Sequence, residues 1–375
     1  MPLHPLYGHE GLRNRLAGAI ASGRLPQALL FEGPPGVGKQ RLALWVAQRI
    51  VCDRSGTTAA PEGSEREAAV ALAEPETRDL ALETEPCGRC PACRLVLNLS
   101  HPDVHWFIPV EVTRKGSDAD RQVELVAEAL AVELGARREQ PLYQPPSGLA
   151  NHGIAAVRLL ARHLYLTPAL ARYKVFIVGD AERLVAQQGS PEAANALLKA
   201  LEEPPANTVF VLTSSRAEAL LPTVVSRVVR VRLARLPDSI LTEFAQRELP
   251  DMAQRAVAQS VRVAEGSIGK LLATASQAGT GTGEGAEVFL RATRGSPAAR
   301  YAAALAQRPF QARGAFTDLL DALLDRLGNE ARAGRETGAV VAAISRVLDA
   351  RALAQGNVNP QLVTAVLGDE LWSGR

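Results

Sequence analysis

Residues 31–42 read FEGPPGVGKQRL, and this stretch decides the fold. From Gly33 to Lys39 it has the spacing of a phosphate-binding P-loop, in which backbone N–H groups cradle phosphate oxygens at the positive end of a helix. An apolar run, QALLFE (27–32), precedes the loop, and a helix-like run, RLALWVAQRIVC (41–52), follows it. Because a P-loop requires strand, glycine-rich loop and helix in this order, the sequence predicts a nucleotide-binding type of fold.

The pattern of strands and helices continues along the chain. Apolar runs at KVFIVG (174–179), TVFVLT (208–213) and VVRVRL (228–233) are typical of buried strands, and helix-like segments lie between them. Such alternation predicts an α/β domain with a mostly parallel sheet covered on both faces. In chain order we therefore predict this α/β domain over 1–234, a small helical module over 235–277, a flexible Gly/Thr-rich linker over 278–287 and an all-helical part over 288–375.

Two stretches of the first domain lack a clear pattern. Residues 53–86 contain nine acidic residues, three arginines and no aromatic residue, and we interpret them as a mobile insertion. Residues 111–153 form a second loose stretch, in which RQVELVAEALAVEL (121–134) could be an exposed helix.

Composition and charge narrow the class of protein. The 375 residues are 47% hydrophobic and 22% charged, as in soluble globular proteins, and the net charge of +2 favours no particular partner. The N-terminus has no secretory signal and no apolar run is long enough to cross a membrane, so we expect a cytoplasmic protein without a membrane partner. In that compartment cysteines are more often metal ligands or free thiols than disulfides.

All four cysteines fit one metal site. Cys87, Cys90 and Cys93 form the run CGRCPAC, and Cys52 ends the helix after the P-loop. This spacing lets thiolates converge on a tetrahedral ion, and the long loop between them adds little cost because closure entropy grows slowly with length. Four thiolates leave no open position, so we predict a structural Zn²⁺ site in a module over 52–93. An iron–sulfur cluster also takes four cysteines and is the alternative.

The P-loop departs from the ATPase pattern after its lysine. Gln40 stands where P-loop ATPases have the Ser or Thr whose hydroxyl ligates Mg²⁺. A glutamine amide is longer and replaces that hydroxyl poorly at the same distance. Phosphate binding could survive this change, whereas placement of a catalytic metal is disfavoured.

The acidic half of an ATPase site should follow an apolar strand as a pair of acids, one for Mg²⁺ and one to polarise water. In KVFIVGDAERL the strand leads to Gly179 at the metal position and Asp180 at the base position. In a shifted register Asp180 takes the metal position and Ala181 the base position. In either register one of the two acids is missing. Another residue is a poor substitute, because the positions of the metal and the base tolerate little displacement. The sequence thus predicts a degenerate nucleotide site made of Gly33, Gly36, Gly38, Lys39, Gln40 and Asp180.

Arg227 follows the strand at 208–213, in the segment LLPTVVSRVVR. An arginine at the edge of such a domain can reach a neighbour's γ-phosphate as an arginine finger, but a Ser-Arg pair alone is uninformative and a solvated arginine is the ordinary interpretation. With Lys199, Arg230 and Arg232 it could instead face nucleic-acid phosphates. Alternating arginines on a strand more often form a solvated edge.

Together these motifs resemble the clamp-loader branch of the AAA+ ATPases, and within it the delta-prime subunits of bacterial DNA polymerase III. The resemblance is carried by LPQALLFEGPPGVGK, the cysteine quartet followed by HPDVHWF, KVFIVGDAERL, EAANALLKALEEPPANTVFVLTSS and LLPTVVSR. It covers about 1–275 with specific motifs, whereas 288–375 match only in being helical. It implies an AAA+ domain over 1–234, a lid over 235–277 and a collar domain for oligomerisation over 288–375.

The resemblance also implies a division of labour. Gamma/tau motor subunits have an intact Walker A threonine and an Asp-Glu pair, whereas delta-prime subunits do not hydrolyse ATP and carry an SRC motif whose arginine acts on a neighbouring gamma subunit's ATP. Here the motif is Ser226-Arg227-Val228, without its cysteine. The sensor arginine of the motor subunits corresponds to Gly269 in EGSIGKLLA, a third departure.

From the resemblance we expect a stator subunit of the clamp loader of the DNA polymerase III holoenzyme, which is not an ATPase by itself. Its expected partners are gamma/tau and delta subunits and, through the complex, the sliding clamp and primer–template DNA. ATP would bind weakly or not at all. The alternatives are an active gamma/tau-like AAA+ ATPase and a P-loop small-molecule kinase, which would need neither the zinc quartet nor NALLKALEEPP.

Overall fold

A computed structural model describes residues 5–54, 85–112, 116–139, 150–184, 192–250, 252, 254–277, 282–307, 309, 315–332, 338–355 and 358–373. The chain divides into two compact units, Met1–Pro145 with Asn151–Leu272, and Pro146–Ala150 with Ala273–Arg375. The insertion predicted at 53–86 lies outside the described residues except for its ends.

The first unit is built on a five-stranded sheet whose strands all pair in parallel. In chain order the strands are β1 (Ala28–Glu32), β2 (Val104–Phe107), β3 (Lys174–Val178), β4 (Thr208–Ser214) and β5 (Val229–Arg232). Their order across the sheet is β2-β3-β4-β1-β5. The loops after β1, β3 and β4 therefore leave the same edge of the sheet, with the end of β4 between the other two.

Helices cover both faces of this sheet. In chain order they are α1 (Glu10–Ala21), α2 (Lys39–Val51), α3 (Pro91–Leu97), α4 (Ala119–Glu139), α5 (Ile154–Leu164), α6 (Glu192–Glu202) and α7 (Pro222–Val225). Leu29 and Phe31 pack with α1 and α2 on one face, and Leu30 packs with α5 and α6 on the other. This alternation follows from the two-residue period of a strand. The predicted α/β fold with a parallel sheet covered on both faces is confirmed.

β5 corrects the prediction of a buried strand at 228–233. It is the edge strand next to β1, and Val229, Arg230 and Arg232 are exposed. Within β5 only Val231 packs partly against the core, whereas Leu233, which ends the predicted run, is fully buried. A strand with a neighbour on one side alone and an arginine at every second position cannot bury both of its faces.

The sequence does not predict β2, and it predicts α4 only in part. β2 is four residues long and is half-buried at His105, so it gives a weak apolar signal. α4 extends beyond the predicted 121–134, and it buries Val123 and Val126 against the sheet, so it is not an exposed helix throughout.

A small helical lid follows the sheet, as predicted. It consists of α8 (Asp238–Glu248), α9 (Gln254–Ala264) and α10 (Ile268–Gln277). Its core includes Leu241, Phe244 and Leu271, and Tyr7 of the N-terminal segment packs edge-on against Phe244. The first unit ends inside α10 at Leu272, slightly before the predicted lid boundary.

The second unit is all-helical, as predicted for the C-terminal part. Its helices are α11 (Thr282–Thr293), α12 (Pro297–Leu305), α13 (Ala315–Arg332), α14 (Gly338–Gln355) and α15 (Pro360–Ser373). α11 begins inside the predicted linker, so a flexible linker is wrong for 282–287, where Ala286 is buried in the core of this unit. Residues 278–281 lie outside the described residues. Every helix in the described ranges is too short or too polar to span a lipid bilayer.

Candidate functional site

The P-loop lies between β1 and α2, at the edge of the sheet where β3 and β4 also end. Gly36 and Gly38 have φ angles of 74° and 98°, in the left-handed region that favours glycine. A Cβ at Gly36 would also lie 2.4 Å from Ser267 Oγ and 2.8 Å from Gly269 Cα of the lid. The loop therefore depends on glycine both for its turn and for its contact with the lid.

The Lys39 ammonium is held by the protein itself. Lys39 is 5% exposed, and its Nζ donates to Gly33 O at 2.9 Å, to Pro34 O at 2.7 Å and to Ser215 Oγ at 2.9 Å. An ammonium has three N–H donors, so these contacts use all of them. Burial lowers the pKa of Lys39 to about 8, against the opposing effect of two nearby carboxylates. A phosphate would have to displace at least one of these oxygens to reach the lysine.

The two main departures from the ATPase pattern are in direct contact. Gln40 Nε2 donates to Asp180 Oδ2 at 3.0 Å. A Cβ at Gly179 would lie 2.9 Å from Gln40 Cδ, so the glutamine side chain fills the space that a side chain at 179 would need. Because β3 ends at Val178, Gly179 and Asp180 are the first two residues after the strand. The residues at 40 and 179 thus form one arrangement and are not two independent losses.

Asp180 occupies a strained and mostly buried position. Its φ is 49°, and its N–H donates to Thr213 Oγ1 at 3.1 Å. Burial raises the pKa of the Asp180 carboxyl, and the charge of Glu182 raises it further, while nearby cations act in the opposite direction. A charged carboxylate is costly to bury, and the amide of Gln40 offsets part of that cost.

His152 and Glu182 support the site, and the sequence analysis found neither. His152 Nε2 lies 2.6 Å from Gly179 O, and since a carbonyl oxygen can only accept, the ring donates through Nε2–H. Burial lowers the pKa of His152 to about 4. Glu182 Oε1 accepts from Ser215 N at 3.1 Å. The position of Glu182, two residues after Asp180, is a signal that could have found it. His152 lies in the stretch 111–153, which carries no motif.

The lid contacts the P-loop through hydrogen bonds. Ser267 Oγ donates to Pro35 O at 2.9 Å, and Gly269 N donates to Gly36 O at 3.0 Å. Gly269 is the residue at which the resemblance predicts the loss of the motor subunits' sensor arginine. It therefore brings a backbone N–H to the loop and no cationic side chain.

A cavity of about 150 Å³ lies beside the P-loop, within the first unit. Its apolar wall includes Leu6, Tyr7, Leu44, Phe244, Ile268 and Leu272. Its polar wall includes Lys39, Gln40, Asp180 and, from α4, Arg137. The guanidinium of Arg137 also lies 5.3 Å from the centre of the Trp106 ring, within cation–π range. The cavity can take a small group with one apolar face, but Gln40 already contacts Asp180, and the Lys39 ammonium is already bonded to oxygens of its own chain.

The structure brings the four predicted cysteines together. Their sulfur atoms all lie within 4.8 Å of one another, at the end of α2 and the start of α3. Cys90 N and Cys93 N each donate to the sulfur three residues earlier, at 3.4 Å, which orients the sulfurs of Cys87 and Cys90. A thiol hydrogen bond from Cys93 lowers the pKa of Cys52 to about 4, and the same contact raises the pKa of Cys93. Four converging sulfurs with no disulfide among them fit a tetrahedral metal ion, so this cluster could hold one.

Arg227 lies outside the P-loop cavity, at the end of α7. Its Nη1 donates to Thr223 O at 2.8 Å and to Ser226 Oγ at 3.3 Å, and its Nη2 pairs with the carboxylate of Glu202. The Arg227 side chain remains 33% exposed. In contrast to Lys39, this cation is only partly enclosed by its own chain.

The family described as "DNA polymerase III, delta subunit" matches residues 8–67 and 59–237 of the chain. The chain belongs to this family. The region matched to the family contains the P-loop, the cysteine quartet, Asp180 and Arg227, whereas the lid and the second unit follow it.

Curated relatives of the chain are named as subunits of the same polymerase. It is 28% identical over 259 residues to DNA polymerase III subunit delta' of Escherichia coli K12, covering 69% of this chain and 57% of that protein. It is 28% identical over 241 residues to subunit delta' of Pseudomonas aeruginosa, covering 64% and 53%. It is 24% identical over 272 residues to subunit tau of Bacillus subtilis, covering 72% and 34%. The chain thus spans about half the length, or less, of these relatives.

Proposed function

We propose that this family member is a non-hydrolysing, delta-prime-like subunit of the DNA polymerase III clamp loader. The observation that carries the proposal is the contact of Gln40 with Asp180 across the space above Gly179. An ATPase of this type needs a hydroxyl and an acid at these two places to hold Mg²⁺. Here an amide occupies the space between them and takes up the remaining carboxylate. Mg·ATP would have to displace Gln40 before either half of the metal site could form.

The state of Lys39 also supports weak or absent nucleotide binding. Its three N–H donors are already satisfied, and the lid donates a backbone N–H to the same loop at Gly36. A phosphate entering the loop gains contacts only by breaking existing ones, so the net gain is small. A catalytically active gamma/tau-like motor is the alternative, and the same contacts argue against it.

The proposed contribution to ATP hydrolysis is made in trans by Arg227. Its guanidinium is partly exposed at the edge of the first unit and does not line this chain's own cavity. An arginine that reaches the γ-phosphate of a neighbouring subunit stabilises the charge that develops in the transition state. We propose that Arg227 acts in this way on ATP held by a gamma/tau subunit.

The second unit is proposed to join a collar with the other subunits. Tyr301 and Leu305 of α12 are 53% and 69% exposed, and Leu362 and Val366 of α15 are 60% and 48% exposed. The spacing of four residues places each pair on one face of its helix. Gln361 Nε2 donates to Leu305 O at 3.3 Å, which holds the start of α15 against the end of α12. Such an apolar surface on adjoining helices suits packing against further helices.

The partners follow from this assignment. As a stator, the chain would bind gamma/tau and delta subunits and, through the assembled ring, the sliding clamp and primer–template DNA. The ring would open the clamp on binding ATP and release it on DNA after hydrolysis. The four-cysteine cluster would hold a structural Zn²⁺ with Cys52, Cys87, Cys90 and Cys93 as ligands, and its role would be to fix α3 to the end of α2.

The experiment is a clamp loader reconstituted with variants of this chain. At the one ATP site that Arg227 completes, Arg227→Ala should slow hydrolysis by about a thousandfold or more. The total ATPase rate of the loader should therefore fall at least by the fraction that this site contributes. Arg230→Ala is the matched control, because Arg230 is an exposed arginine three residues further along the chain that pairs with Glu32 of β1, at 2.7 Å, and not with Glu202. Equal rates for wild type and Arg227→Ala would overturn the trans role.

A further inference from the structure

The carboxylate of Glu202 lies where it can control the side chain of Arg227. Glu202 is the last residue of α6, and its carboxylate pairs with Arg227 Nη2. Arg227 follows the end of α7 by two residues, and α6 and α7 share one core, in which Leu197 and Leu201 of α6 pack with Val224 of α7. The backbone distance between the pair is therefore fixed by buried packing and does not depend on the ion pair itself.

The three contacts of Arg227 restrict its guanidinium without enclosing it. Thr223 O and Ser226 Oγ accept from Nη1 on one side, and Glu202 accepts from Nη2 on the other. A guanidinium has five N–H donors in a planar fork. Three are used here, so two stay available, and within the described part of the chain Nε–H has no partner.

This arrangement lowers the cost of using the arginine in trans. A free arginine side chain samples many rotamers, and fixing it in one of them when a ligand binds costs conformational entropy. Here the fork is already fixed at the surface, with unused donors for an incoming phosphate. Small displacements of a catalytic cation cost rate steeply, so the residue that holds it affects the rate without contacting substrate.

We propose that Glu202 is a positioning residue that presents Arg227 to the ATP of a neighbouring subunit. The inference rests on the proposed trans role of Arg227. It assigns a function to the first glutamate of the Glu-Glu-Pro-Pro segment that ends α6. The adjacent Glu203 provides a matched control, since it is exposed and its carboxylate pairs with none of the described residues.

The test is the steady-state ATPase of a reconstituted loader that carries one variant of this chain at a time. Glu202→Ala should lower kcat about three- to tenfold at the affected site and leave the KM for ATP within about twofold. Glu202→Gln keeps an acceptor oxygen and should recover part of that loss. Glu203→Ala should behave as wild type. In an Arg227→Ala background Glu202→Ala should add nothing, because a positioning residue has no effect once its target is gone.

Several outcomes would overturn the inference. Glu202→Ala could match Glu203→Ala, which would show that the contact is without consequence. It could raise kcat, which would show that Glu202 restrains Arg227 and does not present it. It could also lower the rate further in the Arg227→Ala background, or lower the thermal midpoint of the chain, and the effect would then be structural. If Arg227→Ala leaves the ATPase rate unchanged, both the trans role of Arg227 and the positioning role of Glu202 are refuted. If Arg227→Ala lowers the ATPase rate but Glu202→Ala does not, only the positioning role is refuted.

Discussion

The P-loop cavity and the Arg227 edge of the first unit hold their cations in opposite ways. Lys39 is buried and gives all three of its N–H donors to oxygens of its own chain. Arg227 is one-third exposed and keeps donors in reserve. A polar site whose hydrogen bonds are already made within its own chain gains little free energy from binding a ligand. A cation that is held in place but still exposed can contact a group of a partner subunit. We therefore propose a structural role for the P-loop region and a functional role for Arg227.

The largest expected effect comes from removing the metal that we propose for the four cysteines. α2 begins at the P-loop and ends next to Cys52, so the cluster should stabilise the P-loop region and leave the Arg227 edge unaffected. Structural zinc supplies about 10 kcal/mol or more of binding free energy in small zinc domains. We expect Cys93→Ser to release one zinc per chain and to expose the amides of α3 and of the last turn of α2 to hydrogen exchange.

The exchange of α7, which ends two residues before Arg227, serves as the internal control and should not change. Loss of protection in α7 as well would mean that the two regions are not independent. Metal analysis that finds iron in the purified chain would replace zinc by an iron–sulfur cluster.

The pH dependence of stability tests the burial of Lys39. Its folded-state pKa of about 8 lies below its usual value of 10.5, so between these pH values the unfolded state binds one more proton. Unfolding free energy therefore rises with pH over this range, by about 3 kcal/mol for this group. Urea denaturation from pH 8 to 10.5 should show that rise in wild type and a flatter profile in Lys39→Met. Parallel profiles would mean that Lys39 keeps an ordinary pKa and is open to ligands.

A double-mutant cycle tests whether positions 40 and 179 form one arrangement. Gly179→Ala adds a Cβ at the place occupied by Gln40, so the glutamine must move and give up its hydrogen bond to Asp180. We expect a loss of about 1–2 kcal/mol in unfolding free energy. In a Gln40→Ala background the same change should be nearly neutral. Additive effects would show that the two positions are independent after all.

The smallest effect is expected at Arg230. Its guanidinium donates to Glu32 Oε2 through Nε at 2.9 Å and Nη2 at 2.7 Å, but its side chain is 53% exposed. Exposed ion pairs contribute about 1 kcal/mol or less. Arg230→Ala should therefore change urea-denaturation midpoints little. A loss of several kcal/mol would show that the edge of the sheet depends on this pair, and Arg230 would then be unsuitable as a control.

Much of the architecture follows from the sequence because the apolar runs and the glycine spacing are local signals. β1, β3 and β4 and the helix after the P-loop are found in this way, and the cysteine quartet is found from its spacing alone. β5 is misjudged because its edge position depends on strand order, which no local pattern contains. His152 and Arg137 are missed because tertiary folding alone brings them from 111–153 to the P-loop. The contact between Gln40 and Gly179 is likewise invisible in a sequence where they are far apart.

The proposed loss of ATP hydrolysis is tested most directly on the isolated chain. Purified protein is incubated with Mg·ATP, and nucleotide binding and phosphate release are measured together. We predict no turnover, with weak or absent binding, because Gln40 blocks the metal site and Lys39 is already bonded. Steady turnover that Lys39→Ala abolishes would contradict the account and make this chain a motor in its own right.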